Sequence, residues 1–124
     1  TTMRQTLTLS LQKAGYRDLS ARDGLEALEK LQQPPAVQLV LCDIEMPNLN
    51  GFEFLCQWRQ DPQLAKIPVA MLTSRSNDKH RRLATQLGAI AYFTKPYIEL
   101  EFLQAIKNIL EQNVEEKTAL QHIA

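Results

Sequence analysis

The chain has 124 residues, of which 44% are hydrophobic, and its 14 basic and 14 acidic side chains give a formal net charge of zero. This length suits one compact domain that buries roughly two-thirds of the surface exposed by the unfolded chain. A balanced charge gives no reason to expect nucleic acid or an anionic membrane as the main partner. No apolar stretch approaches the ~20 residues needed to cross a bilayer, and no signal peptide is visible, so we expect a cytoplasmic location.

The segment before Gly15 carries two patterns at once. Leu7 and Leu11 share helical spacing with Met3, whereas Leu7, Leu9 and Leu11 alternate with polar residues as in a strand. The length of the segment and the glycine that ends it favour a helix.

Strand and helix patterns then alternate along the chain, which predicts a parallel sheet covered by helices. Proline, glycine, asparagine and aspartate residues separate the segments. Strands are predicted at residues 16–21, 38–43, 68–73 and 91–94. Helices are predicted at residues 23–32, with Asp23 as the cap, and at 51–60, 78–87 and 97–112. Residues 113–124 would extend the last helix or form a linker.

Three of the predicted strands end in polar groups that a parallel sheet would bring to one edge. Asp43 ends a buried apolar strand, Thr73 and Ser74 end the next, and the last strand leads into Lys95-Pro96. A carboxylate, a hydroxyl and an ammonium group suit phosphoryl transfer to aspartate. The carboxylate attacks and forms an acyl phosphate, while the other two groups bind the phosphoryl oxygens. A divalent metal such as Mg²⁺ would still be needed to neutralise those oxygens.

Each of these residues also has a simpler interpretation when it is taken alone. Asp43 would cap the next turn, Thr73 would be an ordinary strand-end residue, Lys95 a solvated loop residue and Glu45 an exposed one. A buried carboxylate is costly unless something uses it or pairs with it. The occurrence of polar groups at three strand ends therefore favours a reactive site over these separate structural roles.

These residues and their neighbours form a specific combination. The matching segments are Asp43-Ile44-Glu45-Met46-Pro47 with Gly51, Met71-Leu72-Thr73-Ser74, Gly88-Ala89 with Tyr92, and Thr94-Lys95-Pro96. From Arg4 to about Leu110, the chain resembles the receiver domains of two-component response regulators. Two further segments are similar to receivers attached to chemotaxis-type hybrid histidine kinases, namely Ala21-Arg22-Asp23-Gly24 and Gly51-Phe52-Glu53-Phe54-Leu55. The resemblance implies a flavodoxin-like α/β fold with a receiver domain over residues 1–112.

The resemblance also implies a role for each polar residue. Asp43 would accept a phosphoryl group from a histidine kinase or a phosphotransfer domain. Thr73 would supply the switch hydroxyl, Lys95 would pair with the phosphoryl group, and the ring of Tyr92 would follow Thr73. Asp43 and the backbone carbonyl of Glu45 would be ligands of Mg²⁺. The implied function is a conformational switch in signalling, limited to self-phosphorylation and autodephosphorylation rather than turnover as an enzyme.

Two surfaces are predicted to meet partners. Lys79, Arg81 and Arg82 form a basic cluster, which is either a solvated helix end or a docking patch. We expect His80 to belong to that surface rather than to accept phosphate or bind metal. The last helix, strand and helix together would form the face of a homodimer.

The sequence also departs from the family pattern. Receivers begin with a central strand that ends in an acidic pair, and these carboxylates bind Mg²⁺. By that pattern both features would lie immediately before Thr1, and we expect them to exist in the natural protein. The alternative is a molecule that truly lacks them. A chain without them would leave a gap with unpaired backbone groups. Such a chain would be unstable, take a strand from a neighbouring molecule, or recruit residues 6–11, and it would not be expected to bind Mg²⁺ tightly.

Other functions remain open at this stage. A pseudo-receiver that binds partners without phosphorylation is the main alternative, favoured by the absent acidic pair. A phosphatase of the aspartate-nucleophile class needs a second aspartate two residues after the first, where this chain has Glu45. A nucleotide-binding protein is disfavoured because no glycine-rich phosphate loop follows any strand.

Overall fold

The computed structural model describes the whole chain except residues 1–2, 33–36, 46–48, 114–118 and 124. The strands are β1 (Arg17–Ala21), β2 (Val40–Cys42), β3 (Val69–Thr73), β4 (Ala91–Thr94) and β5 (Ala119–Ile123). The helices are α1 (Met3–Lys13), α2 (Gly24–Leu31), α3 (Gly51–Gln60), α4 (Asp78–Gln86) and α5 (Glu99–Asn113), with a short 3₁₀ turn at Leu64–Lys66. Among the described helices, none combines the length and the apolar character needed to cross a bilayer.

All the strand pairs are parallel, and the order across the sheet is β1-β5-β2-β3-β4. The predicted α/β class and parallel sheet are therefore confirmed. The carboxyl ends of the strands lie at one edge, as parallel pairing requires. Strands β2, β3 and β4 are consecutive neighbours, so the residues that follow them are close in space although distant in sequence.

The centre of the sheet differs from the prediction. Strand β5 lies between β1 and β2, with Gln121 aligned to Leu19 on one side and to Val40 on the other. The central position that seemed to lack a strand is thus filled by Ala119–Ile123, and the expected helix extension or linker at residues 113–124 is wrong for these five residues. An empty position would leave backbone N–H and C=O groups of both neighbouring strands unpaired.

The opening segment forms α1, so the helix favoured by its length is confirmed and residues 6–11 do not replace a strand. Helix α2 begins as predicted, because the Asp23 side chain accepts a hydrogen bond from the Glu26 amide at 3.0 Å. Helix α3 begins at a capping box in which Asn50 and Glu53 each accept from the other's backbone amide at 2.9 Å.

The hydrophobic core has two parts, one on each side of the sheet. Strands β2 and β3 are buried throughout and contribute residues to both parts. Phe54 and Leu55 of α3 pack on one side, and α1 and α5 cover the other. Because β2 and β3 are held from both sides, the residues at their carboxyl ends have fixed positions.

The central position of β5 leads to a test of stability. Proline at position 121 lacks the amide hydrogen that a middle strand needs. We expect Gln121→Pro to lower the free energy of unfolding by at least ~2 kcal/mol, because neighbouring groups lose their partners in the core of the sheet. Gln121→Ala keeps the amide and is the matched control. Equal midpoints for the two variants in urea denaturation would contradict a central β5.

Candidate functional site

An ion pair joins the ends of two strands. The Lys95 ammonium group, just after β4, donates a hydrogen bond to Asp43 Oδ2, just after β2, at 2.9 Å. Their side chains are only 20% and 14% exposed, so water screens the pair weakly. The peptide bond between Lys95 and Pro96 is cis, as the sequence allows. The structure thus brings together two of the residues that the sequence assigned to one edge.

Thr73 lies at the end of β3, the strand between these two. The residue is fully buried, and its carbonyl accepts a hydrogen bond from the Lys95 amide at 2.8 Å. Its hydroxyl oxygen accepts from the Arg75 amide at 3.2 Å. Asp43, Thr73 and Lys95 therefore lie at the carboxyl ends of three adjacent strands, while Ser74 is exposed.

The loop after β2 holds the carboxylate of Asp43 in place. The Glu45 amide donates to Asp43 Oδ1 at 3.2 Å, and the Gly51 amide donates to the carbonyl of Ile44 at 2.9 Å. A Cβ atom at position 51 would lie 2.5 Å from the Asp43 carbonyl oxygen. Glycine at this position is therefore required by a close approach of backbone to backbone.

A second group of contacts surrounds Arg75, which sequence reasoning missed. Its guanidinium group forms an ion pair with the Glu45 carboxylate, and its carbonyl accepts from the Tyr92 hydroxyl at 2.6 Å. Glu45 lies two residues after Asp43, and Arg75 lies two residues after Thr73. Because β2 and β3 are neighbours, this equal spacing could have indicated from the sequence that Glu45 and Arg75 are close.

Tyr92 also contacts helix α4. The guanidinium carbon of Arg81 lies 4.7 Å from the centre of the Tyr92 ring, and Arg81 donates to the Tyr92 carbonyl at 3.4 Å. Burial raises the pKa of the Tyr92 phenol above its ordinary value, and the positive charge of Arg81 opposes that shift. The phenol therefore remains protonated at neutral pH and acts as the donor to Arg75.

The residues of the predicted basic surface differ in their contacts. Lys79, Arg81 and Arg82 are all exposed on α4, but Arg81 also contacts Tyr92. His80 is partly buried and stacks on the ring of Phe52, with ring centres 5.9 Å apart. Packing of α4 on α3 thus contacts the His80 ring, and the place of His80 in a partner surface stays a prediction.

The described residues do not fit a tight Mg²⁺ site. Among them, no group of three or more histidine, cysteine, aspartate or glutamate side chains is close enough to hold a metal. The Asp43 oxygens are bonded to Lys95 and to the Glu45 amide, and the Glu45 carboxylate pairs with Arg75. Mg²⁺ prefers several oxygen ligands in octahedral geometry, and one carboxylate with one carbonyl provides too few.

Comparison with known proteins identifies the family. The model of the response regulator receiver domain matches residues 1–107. A transcriptional regulatory protein CpxR homolog from Haemophilus influenzae is 38% identical over 109 residues, covering 88% of this chain and 46% of that protein. The chemotaxis protein CheV3 of Helicobacter pylori is 32% identical over 121 residues, covering 90% of this chain and 39% of that protein.

Solved structures agree with this result. The chemotaxis protein CheY4 of Vibrio cholerae superposes with a TM-score of 0.79 at 31% identity, covering 87% of this chain and 89% of that one. The chain belongs to the family of response regulator receiver domains, with the flavodoxin-like fold of that family. It spans less than half the length of the two curated relatives named above.

The close approach at Gly51 leads to a prediction about the site. We expect Gly51→Ala to lower the free energy of unfolding by about 1–3 kcal/mol, because the new methyl group overlaps the Asp43 carbonyl oxygen. It should also move the amide NMR signals of Asp43 and Glu45. Gly15→Ala is the control for the signals: its φ of +94° should also lower stability, but no atom lies near its Cβ direction, so the signals of Asp43 and Glu45 should not move. If Gly51→Ala leaves the signals of Asp43 and Glu45 unchanged, the close approach does not position the carboxylate.

Proposed function

We propose that this chain is a phosphorylation-dependent receiver domain that accepts a phosphoryl group on Asp43. The observation that supports the proposal is the shielded ion pair of Asp43 and Lys95, with Thr73 on the strand between them. Family membership gives the class of signalling protein, and this geometry supports Asp43 as the residue that would be modified.

The proposed step is the transfer of a phosphoryl group from a histidine to the aspartate. An oxygen of Asp43 attacks phosphorus, the P–N bond to the donor imidazole breaks, and the imidazole leaves with that electron pair. Lys95 would hold its ammonium group beside the new phosphoryl oxygens. Thr73 accepts a bond from the Arg75 amide, so its own hydroxyl proton is left for donation to one of those oxygens.

The local charges set the conditions for this reaction. Asp43 and Glu45 carry two negative charges, and Lys95 and Arg75 carry two positive charges. When Asp43 becomes an acyl phosphate, its carboxylate charge is lost and the phosphoryl group carries about −1.5 to −2 at neutral pH. Together with the charge of Glu45, this exceeds the two positive charges of Lys95 and Arg75. Family resemblance assigns the neutralisation of this excess to Mg²⁺, with Asp43 and the Glu45 carbonyl as ligands, but the described residues supply too few ligands. A chain that has only these metal ligands would therefore accept a phosphoryl group slowly.

A pseudo-receiver is the second candidate, favoured by the finding that no side-chain cluster able to hold a metal occurs among the described residues. In this alternative Asp43 and Lys95 would serve only as a structural ion pair. The fold and its surfaces would then act in protein binding without a phosphoryl group.

The proposed partners follow from the proposed function. A histidine kinase or phosphotransfer domain would supply the phosphoryl group in the cytoplasm, and this chain would act as a phosphoacceptor rather than as a turnover enzyme.

The face of α4, β4 and α5 is proposed as a homodimer surface. Along β4 and the first turn of α5, it contains a cavity of about 340 Å³ lined in part by Tyr97, Ile98 and Glu101. Lys79 and Arg82 would contribute positive charge at its border.

Intact mass spectrometry after incubation with acetyl phosphate tests the proposal. We expect the wild-type chain to gain one phosphoryl group and Asp43→Asn to gain none. Lys95→Ala should react about 10-fold or more slowly, because the main cation beside the attacking oxygen is lost. Parallel reactions with Mg²⁺ and with chelator measure the metal requirement.

Two outcomes would contradict the proposal. Equal mass gain in the wild type and in Asp43→Asn would exclude Asp43 as the acceptor. No gain in the wild type, at any Mg²⁺ concentration and with correct folding shown by circular dichroism, would favour the pseudo-receiver.

A further inference from the structure

Strand β5 fills a position that both of its neighbours need. All five of its residues are aligned with β1, from Ala119 with Arg17 to Ile123 with Ala21. On its other side, the aligned residues of β2 begin opposite Gln121. Without β5, backbone N–H and C=O groups of β1 and β2 would face an empty position, which is costly inside a sheet. The position therefore requires a strand, and backbone pairing does not depend on which molecule provides it.

The sequence of β5 suits this central position poorly. Parallel strands covered on both faces are typically continuous apolar runs, as Val40–Cys42 and most of Val69–Thr73 are. The segment Ala119–Ile123 instead carries Gln121 and His122 at successive positions, which belong to opposite faces of a sheet. A polar group in a covered position costs free energy unless it is hydrogen-bonded. We therefore expect β5 to separate from the sheet more readily than β2 or β3.

The connection to β5 allows a second molecule to supply the strand. Helix α5 follows β4 at the carboxyl edge of the sheet and runs back across it, so it ends near the edge where the strands begin. Residues 114–118 lie between α5 and β5, and a connection of this length spans at most about 20 Å. Two copies whose amino edges meet can therefore place the end of each α5 within reach of the other copy's central position.

We propose that β5 is exchanged between two copies of this chain, so that the β5 strand of each copy lies between β1 and β2 of the other. An exchanged dimer keeps every strand pair of the single chain, because the inserted segment is identical, and such exchange is a low-cost route to dimers. The register supports a second copy as the occupant, since that copy offers the same segment in the same direction. Mass action then sets the share of dimer.

The exchange would join the copies at the edge of the sheet opposite to Asp43. The ion pair of Asp43 and Lys95 lies at the carboxyl ends of the strands, whereas the connection to β5 enters at their amino ends. This dimer differs from the one proposed through α4, β4 and α5, because a strand is exchanged instead of two surfaces being paired. The inference does not rest on phosphorylation of Asp43, and its failure would leave the proposed function unchanged.

A disulfide between β1 and β5 tests the exchange. Arg17 is exposed and aligned with Ala119, and aligned residues on neighbouring strands are about 4.8 Å apart, which a disulfide can span. Arg17→Cys and Ala119→Cys are combined with Cys56→Ser in the full chain. Cys42 is kept, because its thiol is buried and burial raises the pKa of that thiol, which leaves it unreactive. Oxidation then links the strands within one copy if β5 stays in place, and between two copies if it is exchanged.

We expect the oxidised protein to contain both a linked monomer and a linked dimer on a denaturing gel without reductant. The ratio of dimer to monomer should rise about tenfold when the free monomer concentration before oxidation rises tenfold. In a mixture of isotopically labelled and unlabelled copies, digestion and mass spectrometry should find position 17 of one copy joined to position 119 of the other. The two variants that carry only one of the new cysteines measure the dimer formed by random collision.

A second pair of variants tests the physical cause of the exchange. Gln121→Val with His122→Val gives β5 a continuous apolar run, so opening of the sheet should cost more free energy. Exchange between labelled and unlabelled copies should then slow about tenfold or more. Lys107→Gln changes an exposed residue of α5 and should leave the rate of exchange unchanged.

Several results would overturn the inference. Linked monomer alone at every concentration would show that β5 stays in its own copy. Equal amounts of dimer in the single-cysteine variants would assign the dimer to collision. An absence of linkage in either form would contradict the register of β1 and β5, and with it the exchange. If the cysteine variants do not fold, native mass spectrometry of labelled and unlabelled wild-type chains decides the question, because a lack of mixed dimers there excludes the exchange.

Discussion

The parallel pairing of β2 with β3 and of β3 with β4 is the constraint on which the site depends. It gives these three strands one direction, so their carboxyl ends share one edge of the sheet. Adjacent strands are about 4.8 Å apart, and Asp43 and Lys95 follow strands two positions apart. A separation of roughly 10 Å between those strands explains why a long lysine side chain, rather than a shorter cation, meets the carboxylate.

Local chemistry made most of the fold predictable. The buried strands have apolar runs, Asp23 caps its helix, and Gly15 ends α1 at a positive φ. The central strand was not predictable in this way, because Ala119–Ile123 lacks the continuous apolar run typical of buried parallel strands. Its position is imposed by the unpaired backbone of its two neighbours, which is a property of the assembled sheet and not of the segment itself.

The same distinction applies to the site. Asp43, Thr73 and Lys95 could be placed together from the sequence, because strand direction alone brings their positions to one edge. The offset of Arg75 from Thr73 was also visible in the sequence, but the contacts of Arg75 and His80 were not, because they depend on the path of a loop and on how α4 packs against α3. The sequence shows which residues follow each strand, but a loop has no periodic pattern that indicates where its side chains turn.

The two ion pairs of the site differ in a way that suits different tasks. Asp43 and Lys95 are shielded from water, so removal of either partner would leave an unpaired charge in a poorly solvated place, which is costly. Glu45 and Arg75 are about half exposed, and such pairs contribute little free energy and weaken in salt. A shielded pair fixes the geometry of the Asp43 carboxylate, whereas an exposed pair can open at small cost. The same edge of the sheet thus combines one contact that holds its place with another that can exchange partners.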